Sequence, residues 1–340
     1  MNLTNSISID EYRKRLNTMR EHMGKNKLEG MCIFDASRIF YLCGFHHIPT
    51  ERPVVLVVPA DGEIALLIPY LEQENIPVRT PHIKELKVYP EYPGIKHPML
   101  HLVDLLEEKG LRGKKLGIDS DGWNGGWGYK GPTIFEVLPD SDLNYVGDFI
   151  DEKRMVKSEE EIDLLITSSK IANLAHNILL DKIKVGKSEL EITLESTAEA
   201  SKAMANFMGA GWEGAGAHVE IISGPKTSHN HRAPGSRRVK PGDVILTETG
   251  PAVGGYRVEL ERMLIVGEPT SEHKKYFEIV CEAQQLALDT IRPGIQCGEI
   301  EKAVKGFFEE HEMDELTRTH IGHSIGIDGH EAPFLDMGDT

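Results

Sequence analysis

The spacing of apolar and polar positions changes along this chain, and the changes mark its elements. In ISIDEYRKRLNTMREHMGKN, Tyr12, Leu16, Met19 and Met23 recur at helical spacing behind a capping residue, Ser8 or Asp10, which predicts a surface helix. EGMCIFDAS and RIFYLCGF follow. PVVLVVP and GEIALLIP come next, and the turn Ala60-Asp61-Gly62 between them predicts a hairpin in a central sheet. HPMLHLVDLLEEKGLRGKKLGID predicts a helix stopped at Gly110 and then a further strand. Alternating strands and helices as far as about residue 150 indicate an α/β or α+β domain spanning residues 8–150.

A boundary is expected near residues 151–158, opening a second domain over residues 151–340. Ser158 with Glu161 three positions on is a capping-box arrangement ahead of a long amphipathic helix that is expected to end at Gly186. SELEITLESTAEASKAMANFMGAG predicts a second helix before a Gly-rich loop at 209–216 that contains Trp212. A strand (HVEIISG) and a His-rich loop (KTSHNHRAPGSRR) come next, then the stretch 242–267, GDVILTETGPAVGGYRVELERMLIVG. Its two apolar arms flank Gly254-Gly255 and read as a hairpin carrying Glu248, Glu259 and Glu261. Helices over 271–291 and 298–311 complete the pattern.

Composition bounds the function. The 340 residues exceed what one core usually serves, so two domains are expected. No apolar run approaches the length of a membrane span and the N-terminus has no signal-peptide core, so a cytoplasmic location is expected. Cys32, Cys43, Cys281 and Cys297 show no CxxC spacing and are expected to be buried thiols rather than a zinc or disulfide set. A net charge of -16 disfavours nucleic acid as a partner. Trp123 and Trp127, in a Gly/Trp-rich loop, could wall a pocket or cover a core edge.

Candidate chemistry gathers late in the chain. Carboxylates inside a half-buried hairpin call for a metal, a cation or an open cleft, because an unpaired buried carboxylate is costly. His229 and His231 precede the hairpin, and His320, His323 and His330 follow it. Imidazole with carboxylate suits a divalent metal or a proton-transfer pair. The chain carries no GxGxxG after a strand, no P-loop and no GxSxG nucleophile elbow.

Gly242-Asp243, Glu248, Gly255-Tyr256, Glu259 and Arg262 resemble the first ligand hairpin of the pita-bread metallopeptidase family, which includes methionine aminopeptidase, aminopeptidase P, prolidase and the non-peptidase creatinase. Gly322-His323-Ser324-Ile325-Gly326 resembles the next motif, whose His is a ligand. His330-Glu331-Ala332-Pro333 resembles the HExP motif, whose His contacts substrate, and His231 stands where the family carries a substrate-contacting His. FYLCGF and Arg52-Pro53 resemble the creatinase-type N-terminal domain, and RMVKSEEEI the start of the interdomain helix. The resemblance implies a creatinase-type N-terminal domain followed by a pita-bread domain with helices over a curved antiparallel sheet. Two further Glu ligands follow HExP in the family, so the fold is expected to be incomplete at its C-terminal end, lacking its last strands.

Against the family pattern, both ligand aspartates are glutamates, at Glu248 and Glu259, and Glu261 stands where the peptidases place Thr. Creatinase has Leu-Glu-Arg at that place, and there the Glu grips a guanidinium without any metal, so the resemblance leaves the cofactor open between a divalent metal and none. The resemblance therefore implies a hydrolase cutting a C–N bond in a small cationic or zwitterionic substrate, with His231 as base or proton shuttle, Glu259 and Glu261 holding the positive group, and His323 and His330 polarising the reacting centre. The alternative is a metal-dependent Xaa-Pro aminopeptidase or dipeptidase with Glu248, Glu259 and His323 as ligands to Mn, Zn, Co or Fe. A lyase acting on a sulfonium zwitterion and a silent binding scaffold are the other readings. Family members are commonly homodimers, which would let His46, His47 or Arg52 reach a neighbouring site.

Overall fold

A computed structural model describes residues 6–123, 127–209, 214, 216–229, 231–313, 315 and 318–338; Trp212 lies outside them. The chain divides into two compact units, one spanning Ile7–Val156 and the other running on from Lys157.

The first unit is built on a mixed six-stranded sheet. Helix α1 (Ile9–Asn26) is capped by the Ser8 hydroxyl and buries Tyr12, Leu16, Met19 and Met23, the apolar stripe of the sequence. Strand β1 (Gly30–Ile33) leads into α2 (Ala36–Cys43), so RIFYLCGF is helical, capped by Asp35 and stopped by Gly44 at φ +75°. The hairpin of β2 (Val55–Pro59) and β3 (Ala65–Pro69) forms as the Ala60-Asp61-Gly62 turn predicts. Helix α3 (Ile76–Arg79), β4 (Glu85–Tyr89), α4 (Pro98–Glu108), β5 (Lys115–Ile118), α5 (Ile134–Val137), β6 (Asp142–Tyr145) and α6 (Gly147–Met155) complete the unit. The strand order is β4-β3-β2-β1-β5-β6, antiparallel across β1–β2 and β2–β3 and parallel elsewhere. β1, β2 and β3 are buried along their whole length, as expected of strands covered on both faces.

Several side chains of this unit depart from expectation. Trp123 is buried and its indole N–H donates to the Thr50 carbonyl at 2.7 Å, whereas Trp127 is exposed, so the first covers a core edge. His47 is buried and stacks on Phe45 at 5.4 Å, and Arg52 pairs with Glu51 and Glu91. Of the four thiols, Cys32 and Cys43 are buried, and burial pushes each up to about 12. Cys281 is exposed and Cys297 half-buried, which corrects the expectation of four buried thiols.

The second unit opens with α7 (Glu159–Lys182), where Ser158 and Glu161 form the expected capping box. Helix α8 (Glu189–Met208), also box-capped, leads to β7 (Val219–Ser223). The hairpin region comprises β8 (Val244–Thr249), β9 (Ala252–Val253), β10 (Tyr256–Arg257) and β11 (Leu260–Ile265). Gly254 and Gly255 turn the chain between β9 and β10 at φ +56° and +84°, a conformation that favours glycine. β8 pairs antiparallel with both β7 and β11. Helices α9 (Ser271–Thr290) and α10 (Cys297–Glu310) and the ladder of β12 (His323–Ser324) with β13 (Glu331–Phe334) follow.

The two faces of the hairpin differ because strand side chains alternate. Ile245, Thr247 and Thr249 are buried on one side. There Thr249 donates to the Ala172 carbonyl of α7 at 3.3 Å, and Thr247 Oγ1 lies 3.1 Å from His176 Nε2. Ser168 of α7 ties down the hairpin tip, donating to the Tyr256 carbonyl at 2.8 Å and accepting from the Val253 N–H at 3.0 Å. The Tyr256 hydroxyl donates to Glu161 at 2.9 Å in the interior. With one face pegged to α7, the other carries Glu248.

Candidate functional site

Strand register sets the first half of the site. Glu248 on β8 is directly opposite Glu261 on β11 and Glu220 on β7, so three carboxylates stand in a row across one face. Like charges directly opposite are unfavourable, and their effect is visible. Burial first, then the Glu220 charge, pushes the Glu248 carboxyl above its ordinary value; desolvation by the surrounding protein and then the Glu259 charge do the same to Glu261. His218, just ahead of β7, is fixed by the Gly250 N–H donating to its carbonyl at 3.0 Å. Its Nε2 lies 3.7 Å from Glu220 Oε2 and 3.8 Å from Glu248 Oε1.

The second half lies at the tip. The Arg257 N–H donates to the Gly326 carbonyl at 2.7 Å, which stitches the hairpin to the segment carrying His323 and His330. Glu259 then faces both rings: His323 Nε2 is 3.5 Å from one carboxylate oxygen and His330 Nε2 is 3.7 Å from the other. The two rings stack with centroids 3.8 Å apart. Gly329 is small for a reason, since a Cβ there would meet Glu259 Oε1 at 2.9 Å. Glu331, beside His330, is held by Lys157 Nζ at 2.7 Å, and the same ammonium reaches the Ser324 hydroxyl at 3.2 Å.

One hydrogen bond sets the tautomer of His323. Its Nδ1 lies 3.0 Å from the Ser324 carbonyl, an acceptor only, so Nδ1 carries a proton and a ring with a single proton turns its Nε2 lone pair toward Glu259. A lone pair and a carboxylate oxygen at 3.5 Å repel unless a cation or a proton comes between them. Glu259, His323 and His330 each offer a ligand atom within 4.8 Å of the others, as do His218, Glu220 and Glu248. One carboxylate with two imidazoles is a donor set that first-row divalent ions accept, so these residues fit a metal.

The expected residues are thus divided. Glu259, His323 and His330 come together, with Glu261 feeling the charge of all three. Glu248, expected to join Glu259 and His323, stands close to His218 and Glu220 and also feels the charges of Glu261 and Glu259. His231 lies in the loop after the short 3-10 turn Gly224–Ser228, exposed and at φ +56°; among the described residues no ion pair links it to Glu259 or Glu261. Buried Glu189 holds both ends of that loop, accepting from the Ser223 N–H at 2.9 Å, the Ser223 hydroxyl at 2.7 Å, the Gly235 N–H at 3.0 Å and Lys226 Nζ at 3.1 Å. Glu189, His218 and Glu220 do not stand out in the sequence, except that Glu220 interrupts an apolar strand.

Comparison with known proteins bears on this geometry. The pattern of Metallopeptidase family M24 matches residues 163–340, and that of the Creatinase/Prolidase N-terminal domain matches residues 15–156. A creatinase from Bacillus sp. (strain B-0618) is 26% identical over 334 residues, covering 96% of this chain and 77% of that protein. An Xaa-Pro dipeptidase from Pyrococcus horikoshii is 26% identical over 342 residues, covering 97% and 86%. The crystal structure of a prolidase from Thermococcus sibiricus superposes with a TM-score of 0.81 at 25% identity, covering 98% of this chain and 86% of that one. No helix among the described residues is long and apolar enough to cross a membrane.

Proposed function

We propose, from the premise that the chain belongs to metallopeptidase family M24, that this C–N bond hydrolase acts on a small substrate with a positive group, creatinase-like in kind, and that Glu261 takes that group. The observation that carries the reading is the charge of the sheet face. Glu261 is exposed on the sheet face beside Glu259 and opposite Glu248, its carboxyl raised by desolvation from the surrounding protein and by the Glu259 charge. A guanidinium or ammonium set there makes charge-assisted hydrogen bonds and relieves the like-charge repulsion.

The substrate's positive end then lies against Glu261, with Glu259 on its flank, and the scissile carbon points toward His323 and His330. His323, with Nδ1–H committed to the Ser324 carbonyl, keeps its Nε2 face toward the reacting centre. His231 is our choice for taking a proton from the attacking water and returning it to the leaving nitrogen, from the loop that Glu189 anchors. In a peptide-cleaving variant of this chemistry, Glu259, His323 and His330 would hold a divalent ion, which would supply Lewis-acid polarisation of a scissile carbonyl.

That donor set favours a second reading, a metal-dependent Xaa-Pro peptidase, in which the positive group is the free amino end of a dipeptide. The test is Glu261→Gln, assayed on creatine, on an Xaa-Pro dipeptide and on the N-acetylated dipeptide. Losing a charged hydrogen bond of about 1.5–3 kcal/mol lowers kcat/KM roughly 10- to 100-fold on the charged substrate and spares the acetylated one. Equal loss on both, or none on either, would refute the role of Glu261. Whichever charged substrate is cleaved decides between the two readings.

A further inference from the structure

We propose that Lys157 is a positioning residue of this site, its ammonium locking the β12–β13 ladder in the geometry that holds His323 and His330 against Glu259. The Ser158 cap of α7 fixes the backbone next to Lys157. From there Lys157 Nζ donates to Glu331 Oε1 at 2.7 Å and to the Ser324 hydroxyl at 3.2 Å. Ser324 and Glu331 are partners in the ladder, one on each strand, so a single ammonium clamps both strands at the same level. Each clamped residue directly follows a histidine of the site, since His323 precedes Ser324 and His330 precedes Glu331. The clamp therefore acts one residue away from both rings, which stack with centroids 3.8 Å apart.

The same ion pair reaches the hairpin that carries Glu259. Gly326 has no room for a side chain, because the Glu331 carboxylate occupies the place a Cβ would take. The Gly326 carbonyl accepts the Arg257 N–H at 2.7 Å, two residues from Glu259, and the Asp328 N–H donates to the other Glu331 oxygen at 3.4 Å. Glu331 thus lines the inside of the turn that sets the distance from Glu259 to the two rings. Its side chain is 9% exposed and that of Lys157 11%, so the pair is withdrawn from bulk water. Without the ammonium the carboxylate is left buried and unpaired, and it turns outward and takes the Gly326 turn with it.

The proposal rests on the reading above only in taking Glu259, His323 and His330 as the reacting centre, and one arm of its test reads the rings rather than turnover. Lys157→Met, Lys157→Arg, Glu331→Gln and the Lys157→Met/Glu331→Gln double variant are compared with wild type by proton–nitrogen correlation of the histidine side chains. They are also compared by kcat and KM on whichever of creatine and the Xaa-Pro dipeptide is cleaved. Lys157→Met shifts the ring signals of His323 and His330 and leaves those of His22 and His176 in place. It lowers kcat roughly 10- to 100-fold with KM within about twofold, because Glu261, which takes the positive group, stands outside the clamp. Lys157→Arg keeps the charge and restores most of both, and the double variant, with no unpaired carboxylate, is less impaired than Lys157→Met. Lys182→Met, which breaks a surface pair with Glu199 from the same helix, changes neither readout. Circular dichroism verifies folding, and near-isosteric Glu331→Gln, expected to move the same two rings, tests the pair if Lys157→Met does not fold. Unmoved ring signals in a folded Lys157→Met or Glu331→Gln protein, or a loss confined to KM, would overturn the proposal. A wild type that cleaves neither substrate refutes the reading of the reacting centre, and the ring signals then decide for or against Lys157.

Discussion

Replacing Glu189 with Ala removes a buried carboxylate that accepts four hydrogen bonds and joins the two ends of the loop carrying His229 and His231. One oxygen accepts the Ser223 N–H and hydroxyl, and the other accepts the Gly235 N–H and Lys226 Nζ. Lys226 is partly exposed and turns to water when released. The Ser223 N–H is buried with its residue and has no such recourse, and the Gly235 N–H is half-buried. A buried donor left without an acceptor costs about 1–3 kcal/mol, which puts Glu189→Ala at about 3–5 kcal/mol for the unit beginning at Lys157. Glu189→Gln keeps an accepting oxygen but turns an amide N–H toward these donors, and loses about 1–3 kcal/mol. Urea unfolding measures both, and amide exchange at Ser223 and Gly235 reports whether the loop is released.

Acid supplies a second readout of the same carboxylate. Burial alone would raise Glu189, yet the hydrogen bonds from Ser223, Lys226 and Gly235 outweigh it and hold the group below its ordinary 4.5. A lowered folded-state value stabilises the protein above pH 4.5, and that contribution is lost as pH falls through the lower value. The stability gap between wild type and Glu189→Gln therefore narrows on acidification below pH 4.5. A Glu189→Ala protein less than about 1 kcal/mol weaker than wild type, with exchange at Ser223 and Gly235 unchanged, would refute the anchoring role.

Two other perturbations probe the scaffold. Burial, and then the His46 charge, depresses His47 from 6.5 to about 4, so the folded ring stays neutral while the unfolded one protonates. The first unit should lose about 3 kcal/mol as pH falls from 6.5 toward 4, and His47→Phe should flatten that slope; an unchanged slope contradicts the assignment. Tyr256→Phe removes the hydroxyl that donates to buried Glu161 at 2.9 Å and should destabilise the second unit by about 1.5–3 kcal/mol in urea, with no effect if the hydrogen bond contributes nothing.

Much of the fold was legible in the sequence because its signals are local. Ser158 with Glu161, the Ala60-Asp61-Gly62 turn and the Gly254-Gly255 turn each act over a few residues, and each forms where the chemistry of those residues dictates. RIFYLCGF shows the limit: its apolar run fits a strand or a buried helix, and the Asp35 cap and the Gly44 stop make it a helix. Of the site, the motifs carrying Glu259, His323 and His330 identified residues that come together. Their sequence separation gave no means of seeing that Glu248 would also stand against Glu220 and His218. That contact depends on the β7–β8 register, set between strands separated by a long loop, and register is not written in either strand alone. Glu189 was unreadable for the same reason. At the start of an acidic helix turn it reads as a surface charge, and only the return of the loop at Ser223 and Gly235 buries it.

The central claim is that this hydrolase recognises the positive charge of its substrate. The direct measurement is the initial rate of C–N cleavage, followed by proton NMR, for creatine and an Xaa-Pro dipeptide, each beside a neutral counterpart of matched size, with Mn2+, Co2+ or Zn2+ and with chelator. The account predicts cleavage of a charged substrate, with kcat/KM at least about tenfold above its neutral counterpart, a gap of about 1.4 kcal/mol. A neutral counterpart cleaved as fast as the charged one would contradict it.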